Sequence, residues 1–149
     1  MTSFLLLLVL AGGQTLKGPI DVEYLYAHDA DTVYVNVPAW PPFFGTRVGM
    51  RLKGYAAPEI HDPNESDRKL AVQGRDYVEQ RIGKALLAGG KIQFKNVTKD
   101  KFHDRYDAEW ILDGVDLGQE LHRKGFVRPW NGKGVQPFKE NDRTQGESK

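Results

Sequence analysis

RLKGYAAPE, Arg51 to Glu59, is the stretch on which the rest of the chain depends. Val48, Met50 and Leu52 alternate with Arg51 along it, the period of a half-buried strand, so the arginine falls on the face opposite the apolar set. That strand is expected to run from about Arg47 to Tyr55. Gly54 gives it a turn, and Glu59 lies just beyond Pro58, whose ring restricts the backbone leading to the carboxylate. Upstream, HDADT (His28 to Thr32) adds two acids; downstream, DKFHDR (Asp100 to Arg105) adds a second arginine.

Working outward, Val22 to Ala27 reads as a strand entering HDADT. Thr32 to Val37 reads as the next, with Val33, Val35 and Val37 on one face. AWPPFFG (Ala39 to Gly45) cannot continue a ladder, because its prolines donate no hydrogen bond; it is expected as a loop with Trp40 and the Phe43–Phe44 pair laid back on the core. DPNE (Asp62 to Glu65) predicts a helix start, with Asp62 as cap and Pro63 in the first turn. A stripe at spacings of three and four follows, through Leu70, Gly74, Tyr77, Val78, Ile82, Ala85 and Leu86. Gly89 and Gly90 end that helix. Strands are then expected at Lys91 to Val97 and Ala108 to Leu112, a turn at Asp113-Gly114, and a short helix from Asp116 to Lys124 burying Leu117 and Leu121. This is an α+β order, and it matches a five-stranded OB-fold barrel with a long helix between strands three and four and a short C-terminal helix.

Bulk properties narrow the function. The chain has 149 residues, enough for one domain with its own core. Its 21 Lys+Arg against 20 Asp+Glu exclude a protein that draws nucleic acid by a strong overall field, so any such contact must be local. The absence of cysteine excludes thiol nucleophiles, disulfides and cysteine–zinc sites. Phe4 to Leu10 is an apolar run too short to span a bilayer. With the small residues that follow it, residues 1–13 resemble a secretory signal lacking the usual basic leader, which implies a secreted or periplasmic protein; a buried first strand is the alternative. Beyond Trp130, residues 131–149 are Gly- and charge-rich with little to pack, and are expected to be mobile.

Four segments in order, DADT (Asp29 to Thr32), RLKGYAAPE, DKFHDR and DGVDLGQELHRKG (Asp113 to Gly125), resemble the marks of the staphylococcal nuclease (thermonuclease) family over roughly residues 18–130. The resemblance implies an OB-fold and a calcium-dependent hydrolase of DNA or RNA leaving 5′-hydroxyl and 3′-phosphate ends. It makes Asp31 a calcium ligand with the Ala57 backbone carbonyl, and puts Asp29 behind them. Glu59 would then handle the attacking water, and Arg51 and Arg105 would clamp the transition state. Guanidinium forks suit the equatorial oxygens of a pentacoordinate phosphorus.

The chain departs from the family at Ala56, where a second metal-binding aspartate is usual. A dication there would be held weakly, by one carboxylate, one carbonyl and water. DKFHDR is also one residue longer than the compact form of its motif. Tyr55, Phe102, Phe126 and Trp130 are the aromatic candidates for stacking on a base, with Tyr55 and Phe126 taken as substrate contacts. His28, His61, His103 and His122 show no metal-ligand spacing. The expectation is a monomeric nuclease of reduced activity with a nucleic-acid partner and no membrane association. The alternative is a module that retains only nucleic-acid or protein binding.

Overall fold

In a computed structural model of the chain, which describes residues 15–101 and 105–139, the strand carrying Arg51 lies in the interior of a sheet. In chain order the elements are β1 (Ile20–Asp21), β2 (Glu23–Asp29), β3 (Thr32–Asn36), α1 (Pro42–Gly45), β4 (Val48–Leu52), β5 (Tyr55–Ala56), α2 (Glu65–Leu87), β6 (Ile92–Lys99), β7 (Arg105–Leu112), β8 (Val115–Asp116), α3 (Leu117–Arg123) and β9 (Arg128–Pro129). The main sheet has the order β1-β6-β7-β4-β3-β2, with β8 added to β7, while β5 pairs with β9. β4 and β7 are parallel, and the remaining neighbours are antiparallel. The result is an α+β protein with a curled mixed sheet, one long helix and one short one.

The period-two pattern works as expected. Val33, Val35, Val48, Met50 and Leu52 enter the core with Phe94, Trp110 and Leu112 from β6 and β7. On the opposite face of β4, Arg51 is paired with Thr32 of β3 and Asp107 of β7. Registered neighbours share a face, so this pairing sets the floor of a polar site on the outside of the sheet.

α2 buries Ala71, Gly74, Val78, Ile82 and Ala85. Gly74 has a specific role, because a β-carbon there would fall 2.9 Å from the Ala30 side chain and 3.3 Å from that of Phe126. Its absence lets the helix close on the turn bearing Asp29 and Asp31. The next turns of α2 hold α3: Tyr77 donates its hydroxyl to Glu120 at 2.9 Å, and Arg81 Nε pairs with the same carboxylate at 3.1 Å. α3 is capped by Asp116, which accepts the Gln119 N–H, and it buries Leu117 and Leu121. The Asp113-Gly114 turn before it has both residues at positive φ, 49° and 78°.

Several local expectations are corrected. The cap of α2 is Asn64, which accepts from the Ser66 and Asp67 N–H groups at 2.9 and 3.2 Å. Asp62 is buried two residues earlier, in a turn where its N–H reaches the Glu59 carbonyl and its carboxylate accepts the Asn64 N–H. Leu86 lies off the buried stripe. AWPPFFG contains the single turn α1, and although Trp40 is buried against Tyr106, Phe43 and Phe44 are 90% and 40% exposed.

Residues 131–139 also find something to pack against. Phe138 is only 1% exposed, its ring lies 4.2 Å from the Arg128 guanidinium carbon, and Arg128 Nη1 bonds the Pro137 carbonyl. The signal-like residues 1–13 and the remainder of the tail lie outside the described residues. No helix among the described residues is long and apolar enough to cross a membrane.

Candidate active site

The site begins at the turn between β2 and β3. Asp29 Oδ1 accepts the Asp31 N–H at 3.1 Å, the local bond that Asp favours in turns. Burial first, and the neighbouring Asp31 charge second, push the Asp29 carboxyl well above the ordinary aspartate range. Asp31 is buried and well used. Its Oδ2 accepts the Ala57 N–H at 2.8 Å, its Oδ1 accepts the Thr32 hydroxyl at 3.0 Å, and Arg51 Nη2 stands 3.9 Å away. In this arrangement Asp31 ties the start of β3 to the segment after β5 and holds Arg51 between them.

Arg51 is fixed from two sides, because its guanidinium carbon also sits 4.9 Å from the centre of the Trp130 ring. Such stacking suits a weakly hydrated planar cation. Arg105 opens β7 instead of ending a loop, and the parallel register sets it beside Gly49, two residues from the Arg51 row and on the same face. Its Nε pairs with the buried Asp100 carboxylate at 2.6 Å. Sequence spacing alone left the reach of Arg105 undecided; the β4–β7 pairing brings it to the site.

Glu59 also faces the site, but not alone. Lys139 Nζ lies 2.9 Å from Glu59 Oε1, with the two side chains 49% and 58% exposed. Exposed pairs of this kind contribute about 0–1 kcal/mol. What keeps Lys139 there is its neighbour, since burying a side chain such as Phe138 is worth about 1.5–3 kcal/mol. From the same segment, Gln136 donates its amide to the Ala57 carbonyl at 2.7 Å.

These residues line one cavity of about 430 Å³, which includes Asp29, Asp31, Thr32, Arg51, Ala57, Glu59, Arg105 and Trp130, with Gln136 and Lys139 closing one side. Every acid, arginine and carbonyl expected at a site from the sequence therefore meets there. The two expected substrate aromatics do not. Tyr55 packs against Gly118 and His122 of α3, and Phe126 against Tyr77 and Gly74 of α2, because both point toward the helices that cover the fold. Trp130 is the aromatic of the expected set that reaches the cavity; Phe102 lies outside the described residues, as do His103 and Asp104.

Three participants carry no mark in the sequence. Asp107 sits in an ordinary alternating strand, yet its register with Arg51 places it beside both arginines, with Oδ1 buried and without a hydrogen-bond partner among the described residues. Burial, then the Asp100 charge, raise its pKa. Gln136 and Lys139 belong to a Gly-rich, polar stretch whose one aromatic is Phe138.

The donor set does not fit a resident calcium ion. Calcium takes six to eight oxygens, whereas Ala56 offers no side-chain oxygen and the oxygens of Asp31 already accept from Ala57 and Thr32. The Ala57 carbonyl is used by Gln136 and the Glu59 carboxylate by Lys139. Among the described residues no group of three or more His, Asp or Glu side chains is arranged to hold a metal. No protein-family model matches the chain, and no curated protein matches it significantly.

Proposed function

We propose that the chain is a slow nucleic-acid phosphodiesterase, acting on DNA or RNA, whose curled sheet is an OB-type barrel. The observation that carries this reading is the convergence of Arg51 and Glu59, from one stretch, with Arg105, from a strand far along the chain, on a single open cavity. Two guanidiniums on one sheet face suit the non-bridging oxygens of one phosphate, which they grip by charge-assisted hydrogen bonds. As negative charge grows on those oxygens, the same two groups stabilise it.

Glu59 accepts the proton of a water attacking phosphorus. The water oxygen bonds to phosphorus, the bond from phosphorus to the 5′-oxygen breaks, and that oxygen takes a proton from solvent. The ends left are a 5′-hydroxyl and a 3′-phosphate. Asp31 does not enter the reaction; it orients Arg51.

The test is degradation of supercoiled plasmid and of a labelled single-stranded oligonucleotide by the full chain at micromolar concentration. Wild type should cut, and Glu59→Gln should cut at least about a hundredfold more slowly, at the lower end of what general-base catalysis supplies. A second reading, binding without cutting, is favoured by the Lys139 contact on Glu59. Retention of the oligonucleotide with no strand scission in wild type would select it. No retention and no scission would end both.

A further inference from the structure

We infer that this pocket carries its own cation: Lys139, with the Gln136 amide, takes up the oxygens that a divalent ion would need, and phosphate is bound there without metal. The inference rests on the phosphate-binding part of the proposal above and adds the chemical character of the site. Three observations lead to it. Position 56 is a buried alanine, which offers a metal no side-chain oxygen. The Ala57 carbonyl, which faces the cavity, receives a neutral donor from Gln136 at 2.7 Å. The Glu59 carboxylate receives an ammonium from Lys139 at 2.9 Å. Both donors come from one short segment, and Phe138 between them is buried and lies under Arg128. Gln136 is further fixed, because its Oε1 accepts the Phe138 N–H at 3.0 Å.

The pocket's own donors and acceptors are chemically consistent with this. A dication needs several acidic oxygens converging on it, whereas a phosphate anion needs positive charge and hydrogen-bond donors with little opposing charge. Arg51, Lys101, Arg105 and Lys139 put four cations around the cavity. The bound class is therefore a phosphodiester or phosphomonoester taken up directly. When it arrives, its oxygen competes with Glu59 for the Lys139 ammonium. Glu59 is then released toward the water it activates, so that binding of substrate itself uncovers the base.

Two measurements on the full chain test this, and they fail independently of the nuclease reading. In the first, calcium is titrated calorimetrically into the protein alone, and terbium emission sensitised by the cavity tryptophan Trp130 is recorded. The expected result is neither heat nor emission at millimolar ion. Binding of either ion to wild type, lost in Asp31→Asn, would overturn the inference whatever the protein does to nucleic acid.

In the second, anisotropy of a fluorescent single-stranded oligonucleotide is read in chelator and in millimolar calcium. Wild-type affinity should be equal in the two. Lys139→Ala, with an unchanged melting temperature, should bind about tenfold more weakly, as loss of one charge-assisted contact predicts, and Lys139→Arg should restore most of the affinity. Affinity raised by calcium, or a Lys139→Ala variant that binds like wild type, would overturn it. If wild type fails to bind the oligonucleotide at all, the nucleic-acid reading falls, and the ion titration still decides whether the site takes a metal.

Discussion

Arg51 and Lys139 each bring a positive charge to a carboxylate of the same cavity, but the two walls they stand on are built differently. Arg51 belongs to an interior strand, hydrogen-bonded on one side to β3 and on the other to β7, and its side chain is 14% exposed between Asp31 and Trp130. Lys139 stands on a segment without sheet pairing, half-exposed, secured by Phe138 and two side-chain hydrogen bonds. The first wall can change only if the sheet changes. The second can leave by giving up one buried ring.

The difference can be broken most directly by truncating one aromatic on each side. Phe94 is fully buried opposite Ile20 in the β1–β6 register and beside Trp110, so Phe94→Ala should cost about 3–5 kcal/mol in a urea melt. Phe138→Ala should cost only about 1–2 kcal/mol, because the segment can detach and let solvent in without leaving a cavity. Equal losses would mean that the last described residues are as much a part of the fold as the sheet is.

The next effect is on the arginine wall. Arg51→Lys retains the charge but loses the planar fork and the stacking on Trp130, and should lower the cutting rate by about a hundredfold, within the range for removing one transition-state donor. Lys139→Arg should change that rate by less than about twofold, since an exposed ammonium acts as a point charge. A tolerant Arg51 would erase the contrast.

The smallest effect sharpens the contrast on the acidic side. Asp29 titrates high in the folded protein because it is buried beside Asp31. The folded state then binds more protons than the unfolded one between the ordinary aspartate pKa of about 4 and about 9. Stability contributed by this group is full below that window and lost as pH rises through it. Asp29→Asn should remove that loss, raising stability by at least about 1 kcal/mol at pH 8 and by almost nothing at pH 4, since each pH unit inside the window is worth up to about 1.4 kcal/mol. Urea melts at the two pH values check it; a destabilised variant at pH 8 would show that the carboxylate is ionised and needed by the turn.

What could be read from the residues alone was whatever local periodicity records. The valines of β3, the Arg51 face of β4, the Asp113-Gly114 turn and the Leu117–Leu121 face of α3 all follow from spacings of two, three or four. The start of α2 is ambiguous in sequence because Asp62 and Asn64 are both good caps, and only the turn back to Glu59, which buries the first of them, decides for Asn64. Asp107 and the position of Arg105 depend on a parallel pairing between strands more than fifty residues apart, which leaves no local trace. Tyr55 and Phe126 point to helices whose placement the sequence does not encode locally. Residues 136–139 carry no local signal, because a single phenylalanine in a polar stretch rarely marks packing, yet here it finds a place against Arg128.

That β4–β7 pairing also sets an order of events. A chain emerging from the ribosome can form β2, β3 and β4 with their own neighbours, but Arg51 has no Arg105 beside it until β7 has been made and has paired with β4. Contacts that close so long a stretch form late. Arg51 and Arg105 are therefore not side by side in any nascent fragment that ends before β7, and the pocket they share is completed only once that strand is in place.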